Sequence, residues 1–170
     1  MLNENVHKLI NDQINEEFYS AYLYLDFSNY FKSHGLDGFA SWYMIQAEEE
    51  KDHAMLFYTY LQNEGMPVNL KAIKKPGKAY DSSVSVLKAG LDHERQVTGL
   101  INEIYAAAHE VRDFRTMQFL DWFVKEQAEE ETNASELISK MELFGSDPKS
   151  LYMLNRELAE RTYAPPSLTL

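Results

Sequence analysis

Four long segments of helical periodicity dominate this chain and leave little of it for any other structure. Apolar residues recur every three or four positions in each of them, and a shorter amphipathic segment follows. The five segments span about 5–33, 37–64, 81–109, 113–144 and 148–161. Only 7 glycines and 5 prolines interrupt the 170 residues, which disfavours an all-β fold with many tight turns. The pattern predicts one all-α domain over residues 1–170.

The breaks between the segments indicate how the helices are arranged. The first and third breaks are three or four residues long, so each should join antiparallel neighbours. The middle break, 65–80, has sixteen residues and no helical period. Fully extended it could span about 53–58 Å, more than the length of about 42 Å expected for a 28-residue helix. It can therefore return along the whole bundle, which predicts a four-helix bundle with one long crossover and a short fifth helix.

Composition excludes several classes of function. The formal net charge is −11 and the isoelectric point about 4.9, which argues against a nucleic-acid partner, because phosphate binding needs a clustered basic face. The absence of cysteine excludes disulfides, thiol nucleophiles, iron–sulfur clusters and thiolate zinc sites. No apolar run approaches the roughly 20 residues of a membrane helix, and the start of the chain does not resemble a signal peptide. We therefore expect a cytoplasmic protein without a membrane partner.

Carboxylates on the apolar faces are the informative anomaly. Each long helix carries one glutamate on its apolar stripe, near the middle of the helix. Because the middle of a helix lies at mid-height of the bundle whichever way the helix runs, the four glutamates should lie at the same height. These glutamates are Glu17, Glu50, Glu94 and Glu130. Gln127 lies on the same stripe as Glu130, and His53 lies one turn from Glu50. The pattern predicts a polar layer inside an apolar bundle.

A shared cation would explain this layer. Burying four carboxylates without counter-charge would cost several kcal/mol per ion, and the nearby lysines and arginines project from other faces. Glu50-x-x-His53 offers a carboxylate and an imidazole on one helix face. Together with single glutamates from other helices, such a motif forms the ligand set of di-iron carboxylate bundles. Oxygen ligands with one imidazole suit iron or manganese, although zinc could compete. The alternatives are protonated acids or a structural bundle that holds no metal.

Three further acids flank the predicted layer. They are Glu49, Glu126 and Glu129, which we call the outer acids. Their spacing permits two interpretations, a solvated helix face or a second ion site that adjoins the first.

The same residues give the chain a family resemblance. The stretches 15–24, 47–54, 93–94 and 122–131 resemble the ligand segments of the non-haem bacterial ferritins. The similarity covers nearly the whole chain, including the crossover and the short fifth helix. It implies the ferritin-like four-helix bundle as the fold.

The resemblance also implies roles for individual residues. One iron site would use Glu17, Glu50 and His53, with Gln127 hydrogen-bonding nearby. The second would use Glu50 as a bridge together with Glu94 and Glu130. The third iron site of these ferritins would match Glu49, Glu126, Glu129 and Glu130, and Tyr24 matches the tyrosine beside their di-iron centre.

Two differences from related di-iron families make the expected cofactor and function more specific. Haem-containing bacterioferritins carry a methionine between the Glu and His of the second ligand segment, where this chain has Lys51 and Asp52, so no haem is expected. Rubrerythrins and bacterioferritins carry a second Glu-x-x-His on the last long helix, where this chain has Gln127-x-x-Glu130. The difference favours iron storage over a peroxidase.

The function implied by the resemblance is ferroxidation followed by mineral storage. Fe²⁺ would be oxidised by O₂ or H₂O₂ at an intrasubunit di-iron centre, and a ferric mineral would collect inside a homo-oligomeric shell of 24 subunits. A rubrerythrin-like or other soluble di-iron oxidase that stores no iron is the alternative enzyme.

Overall fold

In the computed structural model of the chain, residues 2–77 and 79–170 are described; Met1 and Lys78, which the predicted domain and crossover include, lie outside the described residues. Five α-helices follow one another, and the described part of the chain contains no β-strand. Their bounds are α1 Glu4–Ser33, α2 Asp37–Asn63, α3 Ser83–Glu110, α4 Phe114–Phe144 and α5 Pro148–Leu158. The predicted all-α bundle with a short fifth helix is confirmed.

Local capping hydrogen bonds determine where α3 begins and where α1 ends. Ser82 and Ser85 form a capping box at the start of α3, so this helix begins two residues later than the predicted 81. At the end of α1, Gly35 has a φ of +72°. Its N–H donates to the carbonyl of Lys32, and the next N–H donates to that of Phe31. This closing pattern places a left-handed residue directly after the helix, where glycine carries no steric penalty.

The fifth helix ends earlier than predicted. We expected it to continue to about residue 161, but Ala159 is its C-cap. The chain then leaves the helix without regular structure. Its departure brings Arg161 back against α2, where the guanidinium donates to Glu49, and a continued helix would have carried that side chain elsewhere. The amphipathic pattern alone did not contain this tertiary contact.

The long crossover lies along α1. Near one end, Asn11 exchanges two hydrogen bonds with the backbone of Asn69, at 3.0 and 2.7 Å. Near the other end, the ring of Tyr80 packs edge-on against Phe27, with 5.4 Å between ring centroids. The crossover therefore runs in the same direction as α1, and α3 starts at the end of the bundle where α2 also starts. This arrangement makes α2 and α3 parallel.

A close contact docks α5 on the start of α2. The N-cap residue of α2, Leu36, offers no capping side chain. Instead Asn155 of α5 accepts hydrogen bonds from the backbone N–H groups of Gly38 and Phe39, at 2.8 and 3.3 Å. A Cβ on Gly38 would lie 1.6 Å from the Asn155 carbonyl oxygen. Glycine at this position therefore permits the two helices to meet.

Two apolar clusters fill the bundle, one toward each end. The Phe31 cluster joins the C-terminal half of α1 to α5, and it includes Tyr24, Phe39 and Tyr43. The Phe57 cluster joins the N-terminal half of α1 to the C-terminal halves of α2 and α3 and to the start of α4. Burial of these side chains is the main source of stability. Between the clusters, every long helix contributes polar residues.

Candidate metal centre

A polar layer separates the two apolar clusters at mid-height of the bundle. Its ten side chains are at most 7% exposed, and α1, α2, α3 and α4 all contribute. They are Gln13, Glu17, Ser20, Gln46, Glu50, His53, His93, Glu94, Gln127 and Glu130. The buried polar side chains of the described residues include no lysine or arginine. The layer therefore contains four carboxyl groups, and its basic side chains are two histidines, His53 and His93, with no lysine or arginine.

Three of the predicted ligands converge most closely. One carboxylate oxygen each from Glu17 and Glu50 and one ring nitrogen of His53 all lie within 4.8 Å of one another. Glu50 and His53 are three residues apart on α2, so they share a face of that helix. Glu17 approaches them from α1. The structure thus brings together the residues that the first predicted iron site requires.

Two atoms of this group have no hydrogen-bond partner. They are Glu17 Oε2 and His53 Nδ1, both buried, and Nδ1 lies 3.4 Å from Glu50 Oε2. The other oxygen of Glu17 accepts a hydrogen bond from Gln13 at 2.8 Å. Buried polar atoms are normally paired, so unpaired ligand atoms that converge fit a site for a cation. The donor set of carboxylate oxygens and one imidazole suits Fe²⁺.

Hydrogen bonds orient the two remaining glutamates. Glu94 accepts from the hydroxyl of Tyr24 and, at 3.2 Å, from the side-chain amide of Gln127. Glu130 accepts from the side-chain amide of Gln46 at 2.7 Å. These carboxylates lie outside the three-residue group described above, but they lie in the same buried layer.

The electrostatics of the layer follow from burial and like charge. Burial raises the pKa of Glu17 well above its usual range, and the neighbouring Glu50 raises it further. The pKa of Glu50 is raised well above its usual range by burial first and by Glu94 second. The pKa values of Glu94 and Glu130 are also raised, chiefly by burial. Without a cation, the layer therefore favours protonated carboxyl groups.

Comparison with known proteins identifies the family. The family model of the ferritin-like domain matches residues 7–144. The chain belongs to the ferritin family. Among its relatives is a protein of Haemophilus influenzae described as a probable bacterial non-heme ferritin-like protein. It is 38% identical over 158 residues, which make up 93% of this chain and 96% of the relative. A bacterial non-heme ferritin of Staphylococcus aureus is 31% identical over 163 residues, or 96% of this chain and 98% of that protein.

Solved ferritin structures share the fold over nearly the whole chain. A novel open pore ferritin from the archaeon Archaeoglobus fulgidus superposes with a TM-score of 0.93 at 39% identity, covering 95% of this chain and 100% of its own. A structure described as a humanized archaeal ferritin gives a TM-score of 0.95 at 39% identity, over 97% of this chain and 100% of that one. The resemblance to non-haem bacterial ferritins is thereby confirmed. Membership supports iron storage and ferroxidase activity at the level of the family.

The outer acids lie at the edge of this ferritin's polar layer. Glu49 and Glu126 are half-buried, whereas Glu129 is exposed. Burial raises the pKa of Glu49 and of Glu126, and the charge of Glu126 adds to the effect on Glu49. A fully solvated helix face therefore does not describe Glu49 and Glu126, whereas it still describes Glu129. The role of the three acids as an ion site stays a prediction.

Several polar residues in and around the layer were not predicted from the sequence. Gln13 and Gln46 each lie four residues before a buried glutamate, a spacing that places them on the same stripe, so periodicity could have found them. Ser20 and His93 form a buried hydrogen bond of 2.7 Å between α1 and α3. Arg161 lies in the segment after α5 and carried no signal, because only the tertiary fold brings it to α2.

The described helices include none that is both long enough and apolar enough to cross a membrane.

Proposed function

We propose that this chain is an iron-storage ferritin subunit whose mid-bundle layer is a ferroxidase site. The observation that carries the proposal is the convergence of Glu17, Glu50 and His53 within 4.8 Å, with unpaired ligand atoms on Glu17 and His53. A purely structural bundle gains nothing from such an arrangement, because unpaired buried polar atoms destabilise the folded state.

Each predicted ligand has a part in the binding of two Fe²⁺ ions as substrates. Glu17, Glu50 and His53 would bind the first ion, and Glu50 would bridge to a second held by Glu94 and Glu130. Gln127 and Tyr24 donate hydrogen bonds to Glu94, which orients its carboxylate toward the second ion. Because the carboxyl pKa values are raised in the free protein, binding of the ions should release protons.

The proposed reaction transfers electrons from iron to oxygen. Each of two Fe²⁺ ions loses one electron, and O₂ takes up both electrons with two protons to form H₂O₂, which can itself serve as an oxidant. The carboxylates stabilise the higher charge of Fe³⁺, and the bridging Glu50 holds the two ions close enough for two-electron chemistry. Hydrolysis of Fe³⁺ then yields a ferric oxyhydroxide mineral. The outer acids, together with Glu130, would hold a third iron on the route to the mineral.

Storage requires an assembled cavity, and we propose a homo-oligomeric shell of 24 subunits. Large apolar side chains at the end of the bundle near α5 support an assembly, since such patches on one chain are typical of subunit contacts. Leu143 is 72% exposed, Met153 63% and Tyr152 61%. The proposal further includes a cytoplasmic location, no haem, no nucleic-acid partner and no membrane partner.

The test of the proposal is Glu50→Ala, with Glu48→Ala as the control. Glu48 is exposed on the same helix, two residues away. After mixing two Fe²⁺ per subunit with air-saturated buffer, stopped-flow absorbance should show fast oxidation in the wild type and the control and none in Glu50→Ala. Wild-type rates in Glu50→Ala would refute the site. Electron microscopy after iron loading separates storage from a soluble di-iron oxidase, because only a storage protein forms hollow particles with iron cores.

A further inference from the structure

An arginine from the end of the chain contacts the outer edge of the polar layer. We call residues 159–170, which follow α5, the C-terminal arm. In this arm, Arg161 Nη2 donates to Glu49 Oε2 at 2.5 Å, and Nη1 donates to Gln46 Oε1 at 2.8 Å. The guanidinium also lies 4.3 Å from the ring centre of Trp42. Stacking and hydrogen bonding therefore hold one positive charge directly on an outer acid.

The contact is partly shielded from solvent. The Arg161 side chain is 22% exposed and the Glu49 side chain 17%. Most other ion pairs of the described residues include a side chain that is more than 40% exposed. Water screens a partly buried ion pair less than an exposed one. The attraction between Arg161 and Glu49 is therefore stronger than that within those surface ion pairs.

Further contacts fasten the arm along α2 and α4. The hydroxyl of Tyr163 donates to Asp52 on α2. On α4, the indole N–H of Trp122 donates to Ser167 at 3.0 Å, and Leu168 packs against the Phe57 cluster. Since Glu49 and Asp52 lie on α2 and Glu126 lies on α4, the arm follows the side of the bundle that carries the outer acids.

Arg161 also acts on a second carboxylate through one intermediate. Gln46 accepts from Arg161 with its oxygen and donates from its nitrogen to Glu130 at 2.7 Å. The arginine thus fixes which way the Gln46 amide faces, and the amide orients Glu130. Two of the four residues proposed for the third iron, Glu49 and Glu130, are therefore held by Arg161 directly or through Gln46.

We infer that the Arg161 guanidinium occupies the position of a third divalent cation beside Glu49, so that this cation binds only when Arg161 leaves. The inference rests on the proposed function, because it takes the outer acids to be an iron site. Glu49 Oε2 already accepts from the guanidinium at 2.5 Å, so a divalent cation bound to this carboxylate would lie beside a second positive charge that repels it. Arg161 is thus a positioning residue that makes the third ion bind last and couples its arrival to release of the arm.

Calorimetric titration of the metal-free, assembled protein with Zn²⁺ tests the inference without iron chemistry. Arg161→Gln removes the competing charge, and Arg161→Lys keeps a charge without the two-pronged geometry. Arg156→Gln on α5 is the matched control, since Arg156 is exposed. Arg161→Gln should lower the dissociation constant of the third ion at least tenfold and change that of the first ion, which Arg161 does not contact directly or through Gln46, less than twofold. The dissociation constant of the third ion for Arg161→Lys should lie between the values for the wild type and Arg161→Gln, and the value for the control should equal that of the wild type.

Hydrogen exchange on the wild type gives a second measurement that needs no variant to fold. Backbone amides of the C-terminal arm should exchange at the same rate with no Zn²⁺ and with two Zn²⁺ per subunit, and several-fold faster with three. A role of Arg161 in structure alone would not make the arm respond to the third ion.

The outcomes separate this inference from the proposed function. The inference is overturned if the third ion binds to Arg161→Gln no more tightly than to the wild type. It is also overturned if hydrogen exchange in the C-terminal arm does not change when the third ion binds. In either case, fast oxidation of two Fe²⁺ would still support the ferroxidase site. A wild-type protein that neither binds two ions nor oxidises them overturns the proposed function and the inference with it.

Discussion

Replacing Glu17 with glutamine should stabilise the metal-free protein at neutral pH. Glu17 is 1% exposed, and its Oε2 has no hydrogen-bond partner. Its pKa is raised well above the usual range, first by burial and then by the charge of Glu50. Glutamine has nearly the same shape and no charge. Glu17→Gln therefore removes the ionisation that this environment disfavours.

The sign and the size of the effect follow from proton linkage. Because the folded-state pKa of Glu17 lies above its unfolded value, the folded protein keeps a proton that the unfolded chain releases. Its contribution to the free energy of unfolding is complete below the ordinary carboxyl pKa and is lost as pH rises toward the folded pKa. One such proton changes this free energy by about 1.4 kcal/mol per pH unit. The advantage of Glu17→Gln over the wild type can therefore grow by at most about 3 kcal/mol between pH 5 and pH 7. Coupled neighbours will lower the measured value.

Urea unfolding of the chelator-treated protein at pH 5, 6 and 7 measures the effect. The advantage of Glu17→Gln over the wild type should grow with pH across this range. Glu103→Gln, at an exposed position of α3, is the control and should follow the wild type at every pH. If Glu17→Gln has no advantage at pH 7, or if its advantage shrinks as pH rises, the argument that burial disfavours ionisation at this position is wrong.

Three further predictions concern other parts of the molecule. Gly38→Ala should destabilise the protein by about 1–3 kcal/mol, because its Cβ would clash with Asn155; thermal unfolding measures the loss, and hydrogen exchange in α5 should rise first. Changing all three outer acids to glutamine should preserve the first oxidation burst with two Fe²⁺ per subunit and alter the ratio of iron to O₂ with four; loss of the first burst would make the outer acids primary ligands. Zn²⁺ binding to the metal-free protein should release protons between pH 6 and 7 and weaken as pH falls, and calorimetry in buffers of different ionisation enthalpy would expose an absence of release.

Helical periodicity predicted the inward orientation of the buried glutamates because it is a local property. A residue three, four or seven positions from an apolar neighbour shares its helix face, so Glu17 and Glu130 could be placed without knowing which helices meet. Both are buried, as are Glu50 and Glu94. Their roles as ligands stay predictions, since burial alone does not bind a metal.

The hydrogen bonds that orient these glutamates needed the structure. Gln46 has the right spacing on α2, but its bond to Glu130 depends on how α2 and α4 pack. The amphipathic pattern places Arg161 in the last turn of the fifth helix, whereas the residue follows the end of that helix and pairs with Glu49, 112 residues earlier. Periodicity describes one helix at a time, and it contains no information on contacts between distant segments.

The central claim is that the polar layer binds two iron ions as substrates. Crystals of the metal-free protein soaked anaerobically in Fe²⁺ and measured at the iron absorption edge test it directly. Two anomalous peaks per subunit are expected inside the layer, one beside Glu17 and His53 and the other beside Glu94 and Glu130, with Glu50 between them. Anomalous peaks confined to the surface, with none inside the layer, would contradict it.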